Sequence, residues 1–294
     1  MFSGVHTALV TPFTAGRADL EAFAALVERQ IAAGIHGVVP CGTTGESSTV
    51  TDEERLGLIR TAVQTAKGRL KVIAGVGTND TARSIANARA AAEVGADAGL
   101  VITPYYNKPT QEGLYRHCAA IAEATELPLV LYNVPGRTAV SFTVDTLDRL
   151  ADLPTIVAVK EATADLQFGA EIVRRCGDRM QVLSGDDATA FPLWCVGGRG
   201  LTAVASNLVP ERFVALWRAF EAGDIAEARR IHLGLLPLFA GMFWETNPVP
   251  VKTALAWATG LISAECRLPL APLLPETEAR LRALCADQKI ELRA

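Results

Sequence analysis

Val94-Gly95-Ala96-Asp97-Ala98-Gly99-Leu100 compresses the end of a helix and the start of a strand into one short stretch. Gly95 suits the left-handed backbone that closes a helix, and an apolar run begins almost at once behind it. Ala33-Gly34-Ile35-His36-Gly37-Val38 and Val196-Gly197-Gly198-Arg199-Gly200-Leu201 repeat the pattern. A chain that leaves helix after helix straight into a strand alternates the two, and that alternation builds parallel sheets.

Working outward from these junctions, short apolar runs recur at Val5 to Val10, Gly37 to Val39, Val72 to Val76, Leu100 to Ile102, Leu129 to Tyr132, Ile156 to Val159, Gln181 to Leu183 and Leu201 to Val204. They lack polar alternation, as strands buried on both faces do. Between them the period lengthens: Leu20, Phe23, Val27 and Ile31 share one helical face, and so do Leu56, Ile59 and Val63. Thr51-Asp52-Glu53-Glu54 reads as a capping box opening the second of these helices. Eight strand–helix units predict an α/β chain folded as a (β/α)8 TIM barrel. The alternative, an open doubly wound sheet, usually carries a glycine-rich turn after its first strand, where this chain has Thr11-Pro12-Phe13-Thr14. From about Pro210 the pattern is helical, with a break at Asn247-Pro-Val-Pro-Val-Lys252. The expected division is a catalytic barrel over 1–224 and a small C-terminal helical extension over 225–294. No Gly-, Ser- or Pro-rich linker separates them, so the extension is expected to pack on the barrel.

The chain has 294 residues, half of them hydrophobic, and a net charge of −4 without long runs of one sign. Such a balance gives no support to a nucleic-acid or anionic-membrane surface, and small-molecule chemistry fits it better. Cys41, Cys118, Cys176, Cys195, Cys266 and Cys285 lie far apart with no CxxC pair, which argues against a zinc site or a disulfide framework. Without a signal-like N-terminus or an apolar run of roughly 18 residues, a cytoplasmic protein is expected.

In a barrel of this kind the reacting groups hang from the C-terminal ends of the strands. Five such ends carry polar groups that packing does not require: Cys41-Gly-Thr-Thr-Gly-Glu-Ser47, Thr103-Pro-Tyr-Tyr-Asn107, Tyr132-Asn-Val-Pro-Gly-Arg137, Lys160-Glu-Ala-Thr163 and Ser184-Gly-Asp-Asp187. Lys160 is the most telling, because it ends a continuous apolar run. A surface lysine would snorkel to water or pair with Glu161 or Asp186. A lysine held in a low-dielectric site can instead present its free amine to a carbonyl and form a Schiff base, whose iminium draws electrons from the adjacent carbon. That is class I aldolase chemistry, and it needs no metal. Tyr132 is a core tyrosine or a proton shuttle for that chemistry. Thr43 and Thr44, between Gly42 and Gly45, form a plain turn or a carboxylate cradle of hydroxyl and backbone N–H groups. Arg137 is a loop arginine or a bidentate carboxylate clamp.

Other chemistries lack their signatures. HExxH, GxSxG, Walker and GxGxxG motifs are absent, and His6, His36, His117 and His232 share no ligand spacing. Asp186 and Asp187 without histidine partners read as a helix cap with a solvated neighbour more readily than as a metal site. Gly197-Gly-Arg-Gly200 carries a weak suggestion of phosphate binding.

Taken in order, GTTGES, YYNKPTQEGLY, YNVPGRT, KEAT, SGDD and NPVPVK resemble the pyruvate-dependent Schiff-base aldolases, the family that includes dihydrodipicolinate synthase and N-acetylneuraminate lyase. The resemblance runs over nearly the whole chain and is closest to the synthase branch, which condenses pyruvate with aspartate semialdehyde in the diaminopimelate route to lysine. It implies a lyase whose Lys160 forms the Schiff base with pyruvate, with no separate cofactor, and whose Tyr132 donates protons. It implies that Thr43 and Tyr106 complete a relay, Tyr106 serving the neighbouring subunit of a homotetramer built as a dimer of dimers. Thr44 would hold the pyruvate carboxylate and Arg137 that of the semialdehyde, while Gly185 and Thr202 would line the pyruvate pocket. Thr202 departs from the aliphatic residue usual there, which points to a backbone role. The Pro-x-Arg ending in Arg137 argues against the sibling activity, an aldolase acting on a sugar acid or hydroxy-oxo acid. A barrel retired to a binding role would have no reason to keep Lys160, Tyr132, Thr43 and Tyr106 together. In lysine-inhibited members an interface pocket carries an acidic residue and histidines; this chain keeps Ser47, Asn79 and Tyr105 but has Arg83, Asp52 and Arg55 at those other positions. An arginine there would repel a lysine ammonium, so weak or absent feedback is expected.

Overall fold

A computed structural model describes residues 2–293. Among the described residues ten strands are formed: β1 (Gly4–Ala8), β2 (Phe13–Thr14), β3 (Arg17–Ala18), β4 (Gly37–Val39), β5 (Lys71–Gly75), β6 (Ala98–Ile102), β7 (Leu129–Asn133), β8 (Ile156–Glu161), β9 (Gln181–Ser184) and β10 (Gly200–Ala203). Eight of them close a barrel in the order β1-β10-β9-β8-β7-β6-β5-β4, and helices alternate with the strands, as in a (β/α)8 TIM barrel. The chain divides into two compact units: the residues up to His6 with Lys71–Thr202, and Thr7–Leu70 with the residues from Ala203 on.

In the first unit β5 to β10 run parallel, each hydrogen bonded to the next. Leu129, Leu131, Ile156, Ala158 and Val159 are almost wholly buried. Each large aliphatic side chain among them contributes about 1.5–3 kcal/mol by leaving water. The run read as ending at Val159 continues as strand through Lys160 and Glu161, so the lysine belongs to the sheet itself.

In the second unit the helix Leu20–Ala33 packs on Asp52–Ala66. The predicted capping box is present: Glu54 N donates to Thr51 Oγ1 and Thr51 N to Glu54 Oε2. Gly34 closes the first helix at φ 81°, its N–H reaching the carbonyls of Gln30 and Ile31. The buried stripes differ from the predicted ones. Phe23, Leu26, Val27 and Gln30 are buried while Leu20 is 41 % exposed, and on the second helix Leu58, Ile59 and Ala62 are buried where Leu56 and Val63 are half-buried. Gln30 enters the interior because its carbonyl accepts from Thr7 Oγ1 at 2.8 Å and its amide donates to the Ser206 carbonyl.

The first strand stops at Ala8, short of the expected Val10. The Asn207 side chain takes over the backbone there, accepting from Val10 N and donating to the Ala8 carbonyl. The β2–β3 hairpin is too short to leave a periodic trace. NPVPVK is a helix start rather than a break: Pro248 is the cap of Val249–Thr259 and Pro250 lies in its first turn, where a missing N–H costs nothing. No described helix is long and apolar enough to cross a membrane.

Candidate active site

The first unit assembles the lysine and its surroundings. Tyr132 and Lys160 are register partners on β7 and β8, so their side chains leave the sheet on the same face. Lys160 is 5 % exposed, and its Nζ stands 4.1 Å from the centroid of the Tyr132 ring. Among the described residues Lys160 makes no ion pair. The alternatives of pairing with Glu161 or Asp186 are therefore not taken up. Glu161 points elsewhere: Oε2 accepts from Asn133 Nδ2 at 2.8 Å and Oε1 from the Thr163 N–H. Burial pushes the Glu161 carboxyl above its ordinary value, against the opposing hydrogen bonds from Asn133 and Thr163.

Gly185 belongs to the same cluster. A Cβ there would stand 2.6 Å from Ala162 Cβ and 3.0 Å from both Cγ and Cε of Lys160. Only a residue without a side chain lets the lysine stem pass. On β10, whose Gly200 and Leu201 pair with Leu183 and Ser184 of β9, Thr202 is buried. Arg137 lies in the four-residue helix Pro135–Thr138 and is exposed. Beside it Thr138 ties the ends of β6 and β7, accepting from Thr103 Oγ1 at 3.0 Å. Tyr106 is 89 % exposed, with its backbone held at φ 73°.

Thr43 and Thr44 lie in the second unit, in a loop that spends its own donors. Gly45 N, Glu46 N and Ser47 N bond back to the carbonyls of Gly42 and Thr43, and Thr11 Oγ1 donates to the Gly45 carbonyl. The cradle imagined over the whole loop is thus confined to Thr43 and Thr44, whose N–H groups meet no acceptor among the described residues. Asn247 Nδ2 donates to Thr44 Oγ1 at 3.0 Å. Lys252 Nζ meets Glu46 Oε1 at 2.7 Å with both side chains enclosed. Sequence reasoning missed both partners, although each stands in the NPVPVK motif it had noted.

Several other candidates resolve into packing. Asp186 Oδ2 accepts from N and Oγ1 of Thr189, capping the turn into Ala190–Cys195. Its neighbour Asp187 is buried rather than solvated. In GGRG a Cβ on Gly200 would strike the Gly4 carbonyl at 2.3 Å, so that glycine serves a close strand approach. Burial pushes the Cys41 and Cys266 thiols up to about 11, which removes them as nucleophiles near neutral pH. Among the described residues no group of three or more His, Cys, Asp or Glu side chains is placed to hold a metal ion.

In a (β/α)8 barrel enzyme, a buried lysine beside a tyrosine at neighbouring strand ends, with no ion pair among the described residues, is an arrangement that can carry imine chemistry. Residues 1–288 match the dihydrodipicolinate synthetase family, and the chain belongs to that family. It is 53 % identical over 286 residues to 4-hydroxy-tetrahydrodipicolinate synthase of Nitratidesulfovibrio vulgaris strain DP4, covering 97 % of this chain and 98 % of the relative. The same enzyme of Syntrophobacter fumaroxidans is 51 % identical over 282 residues, covering 96 % and 97 %. The crystal structure of dihydrodipicolinate synthase from Aquifex aeolicus superposes with a TM-score of 0.97 at 44 % identity over the full length of both chains.

Proposed function

We propose that this chain is a lyase that condenses pyruvate with L-aspartate 4-semialdehyde to 4-hydroxy-tetrahydrodipicolinate, through a Schiff base on Lys160. The observation that carries the reading is Lys160 Nζ, buried beside the Tyr132 ring with no carboxylate partner among the described residues. In this reading Nζ attacks the pyruvate carbonyl carbon, the carbinolamine loses water, and the resulting iminium drains charge from the methyl carbon. A proton leaves that carbon, and the enamine attacks the aldehyde. The amino group of the condensed semialdehyde then adds to the iminium carbon and displaces Lys160 Nζ, which closes the ring and frees the lysine. Tyr132 moves protons to and from the carbinolamine, in relay with Thr43 and with Tyr106 of a neighbouring copy. Thr44 holds the pyruvate carboxylate, Gly185 and the Thr202 backbone line the pyruvate pocket, and Arg137 clamps the carboxylate of the semialdehyde. The exposed ring of Tyr106 supports its service to another subunit, and a homotetramer built as a dimer of dimers is part of the proposal.

Borohydride reduction in the presence of pyruvate tests the reading directly. The expected result is one adduct on the peptide containing Lys160, and its absence would reject every Schiff-base mechanism. A coupled assay of aspartate semialdehyde against N-acetylneuraminate then separates the two branches of aldolase. Turnover of the sugar acid alone would overturn the substrate assignment.

A further inference from the structure

The buried polar groups of NPVPVK have no part in the chemistry just described, yet they meet the GTTGES loop across more than two hundred residues of sequence. We infer that Asn247 and Lys252 are positioning residues for carboxylate capture: the Asn247 carboxamide sets the donor direction of the Thr44 hydroxyl, and the enclosed Lys252–Glu46 pair fixes the backbone that carries it. The inference rests on the reading in which Thr44 receives the pyruvate carboxylate.

The polarity of one hydrogen bond carries the first half. Asn247 Nδ2 is a donor only, so at 3.0 Å it occupies a lone pair of Thr44 Oγ1. The hydroxyl proton must then point away from Asn247. A hydroxyl whose oxygen is already engaged this way donates to an anion, and the idle N–H groups of Thr43 and Thr44 add to the same cradle. The opposite amide orientation would consume the proton and leave an acceptor where a carboxylate has to bind.

The second half is backbone geometry. Glu46 sits at φ 54°, a left-handed conformation that a side-chain-bearing residue adopts only when its surroundings impose it. They do so on every side. Lys252 Nζ holds one carboxylate oxygen at 2.7 Å, the Arg267 N–H holds the other at 3.0 Å, and Lys252 lies 4.3 Å above the centroid of the Phe13 ring. A buried pair of this kind is weak evidence of net stabilisation, because desolvation offsets the attraction. What it supplies is a fixed position for the loop.

The test reads the half-saturation of borohydride-trapped imine as pyruvate is varied, and kcat separately, at each pH relative to the wild-type enzyme. Thr44→Val is expected to raise half-saturation about tenfold or more. If it does not, the assignment of Thr44 fails whatever Asn247 does. Given that rise, Asn247→Leu should raise half-saturation by a similar factor with kcat less affected, and an unchanged value would overturn the inference alone. Asn247→Asp is close in shape and supplies the sharper measurement. Its ionised carboxylate accepts the Thr44 proton, whereas its protonated form donates as the amide does. The defect should therefore shrink as pH falls from about 8 to about 5, the range in which a buried aspartate titrates. In Thr44→Val/Asn247→Asp that pH dependence should vanish. Its persistence would mean mere repulsion between the introduced carboxylate and pyruvate and would overturn the donor-direction argument. Lys252→Met/Glu46→Gln removes both charges while keeping volume, and is expected to raise half-saturation severalfold with the imine still formed on Lys160. An unchanged half-saturation would overturn the role given to the pair.

Discussion

Two lysines among the described residues are buried, and they are buried in opposite ways. Lys252 is fully enclosed, joined to the Glu46 carboxylate and stacked over Phe13. Lys160 is nearly as enclosed and lies over the Tyr132 ring, but it makes no ion pair among the described residues. Both Nζ atoms face an aromatic ring, so the ring does not separate them. The carboxylate does. A lysine given a carboxylate is committed to holding position; Lys160 has no such partner among the described residues, which is what the proposed imine needs.

The comparison breaks most visibly at Lys160. Lys160→Met should abolish the trapped adduct and lower kcat by about 10³-fold or more, while the urea midpoint stays level or rises. A retained adduct, or a stability loss as large as that expected at Lys252, would erase the distinction. Lys252→Met should do the reverse, costing about 3–5 kcal/mol in urea denaturation by leaving Glu46 buried and unpaired. Most of that loss should return in Lys252→Met/Glu46→Gln, and a double variant as unstable as the single one would show that the pair is not the cause.

Two carboxylates sharpen the contrast through pH. Burial raises Glu161 above 4.5, so its protonated form favours the fold; the stability it provides is present below about pH 4.5 and is lost as pH rises through the folded value. Glu54 is held down to about 2, chiefly by its hydrogen bond with Arg267, so its contribution is present above 4.5 and is lost as pH falls toward 2. Urea midpoints across pH should thus lose their upper slope in Glu161→Gln and part of their acid slope in Glu54→Gln. Slopes unchanged in both would refute the assignments. The smallest effect concerns free lysine. With Arg83 where sensitive relatives carry an acidic side chain, initial rates should stay within about twofold of uninhibited at millimolar lysine. Clear inhibition below a millimolar would reverse that expectation.

The pair of lysines also shows what the sequence could and could not disclose. Both end or interrupt apolar runs, Ile156 to Val159 and Val249 to Leu255, and nothing local tells them apart. Lys160 was legible because Tyr132 and the other strand-end groups recur in a known order. Lys252 was not, because its meaning depends on Glu46, distant in sequence. The strands were legible from their uninterrupted apolar runs and the glycines before them. The rotation of the buried stripe on Leu20–Ala33 was not, since Gln30 is polar by itself and enters the interior only through Thr7 and Ser206. The same holds for the end of β1, which Asn207 sets from far along the chain.

The ties from Thr44 to Asn247 and from Glu46 to Lys252 span 203 and 206 residues. At about 5–20 residues per second of synthesis, the GTTGES loop leaves the ribosome roughly 10–40 s before its partners exist. During that interval the loop has its own backbone hydrogen bonds, but the Glu46 carboxylate has neither Lys252 nor the Arg267 N–H to hold it. The side-chain ties of this loop are thus completed late in synthesis, and a product cut short before Asn247 would carry Lys160 without them.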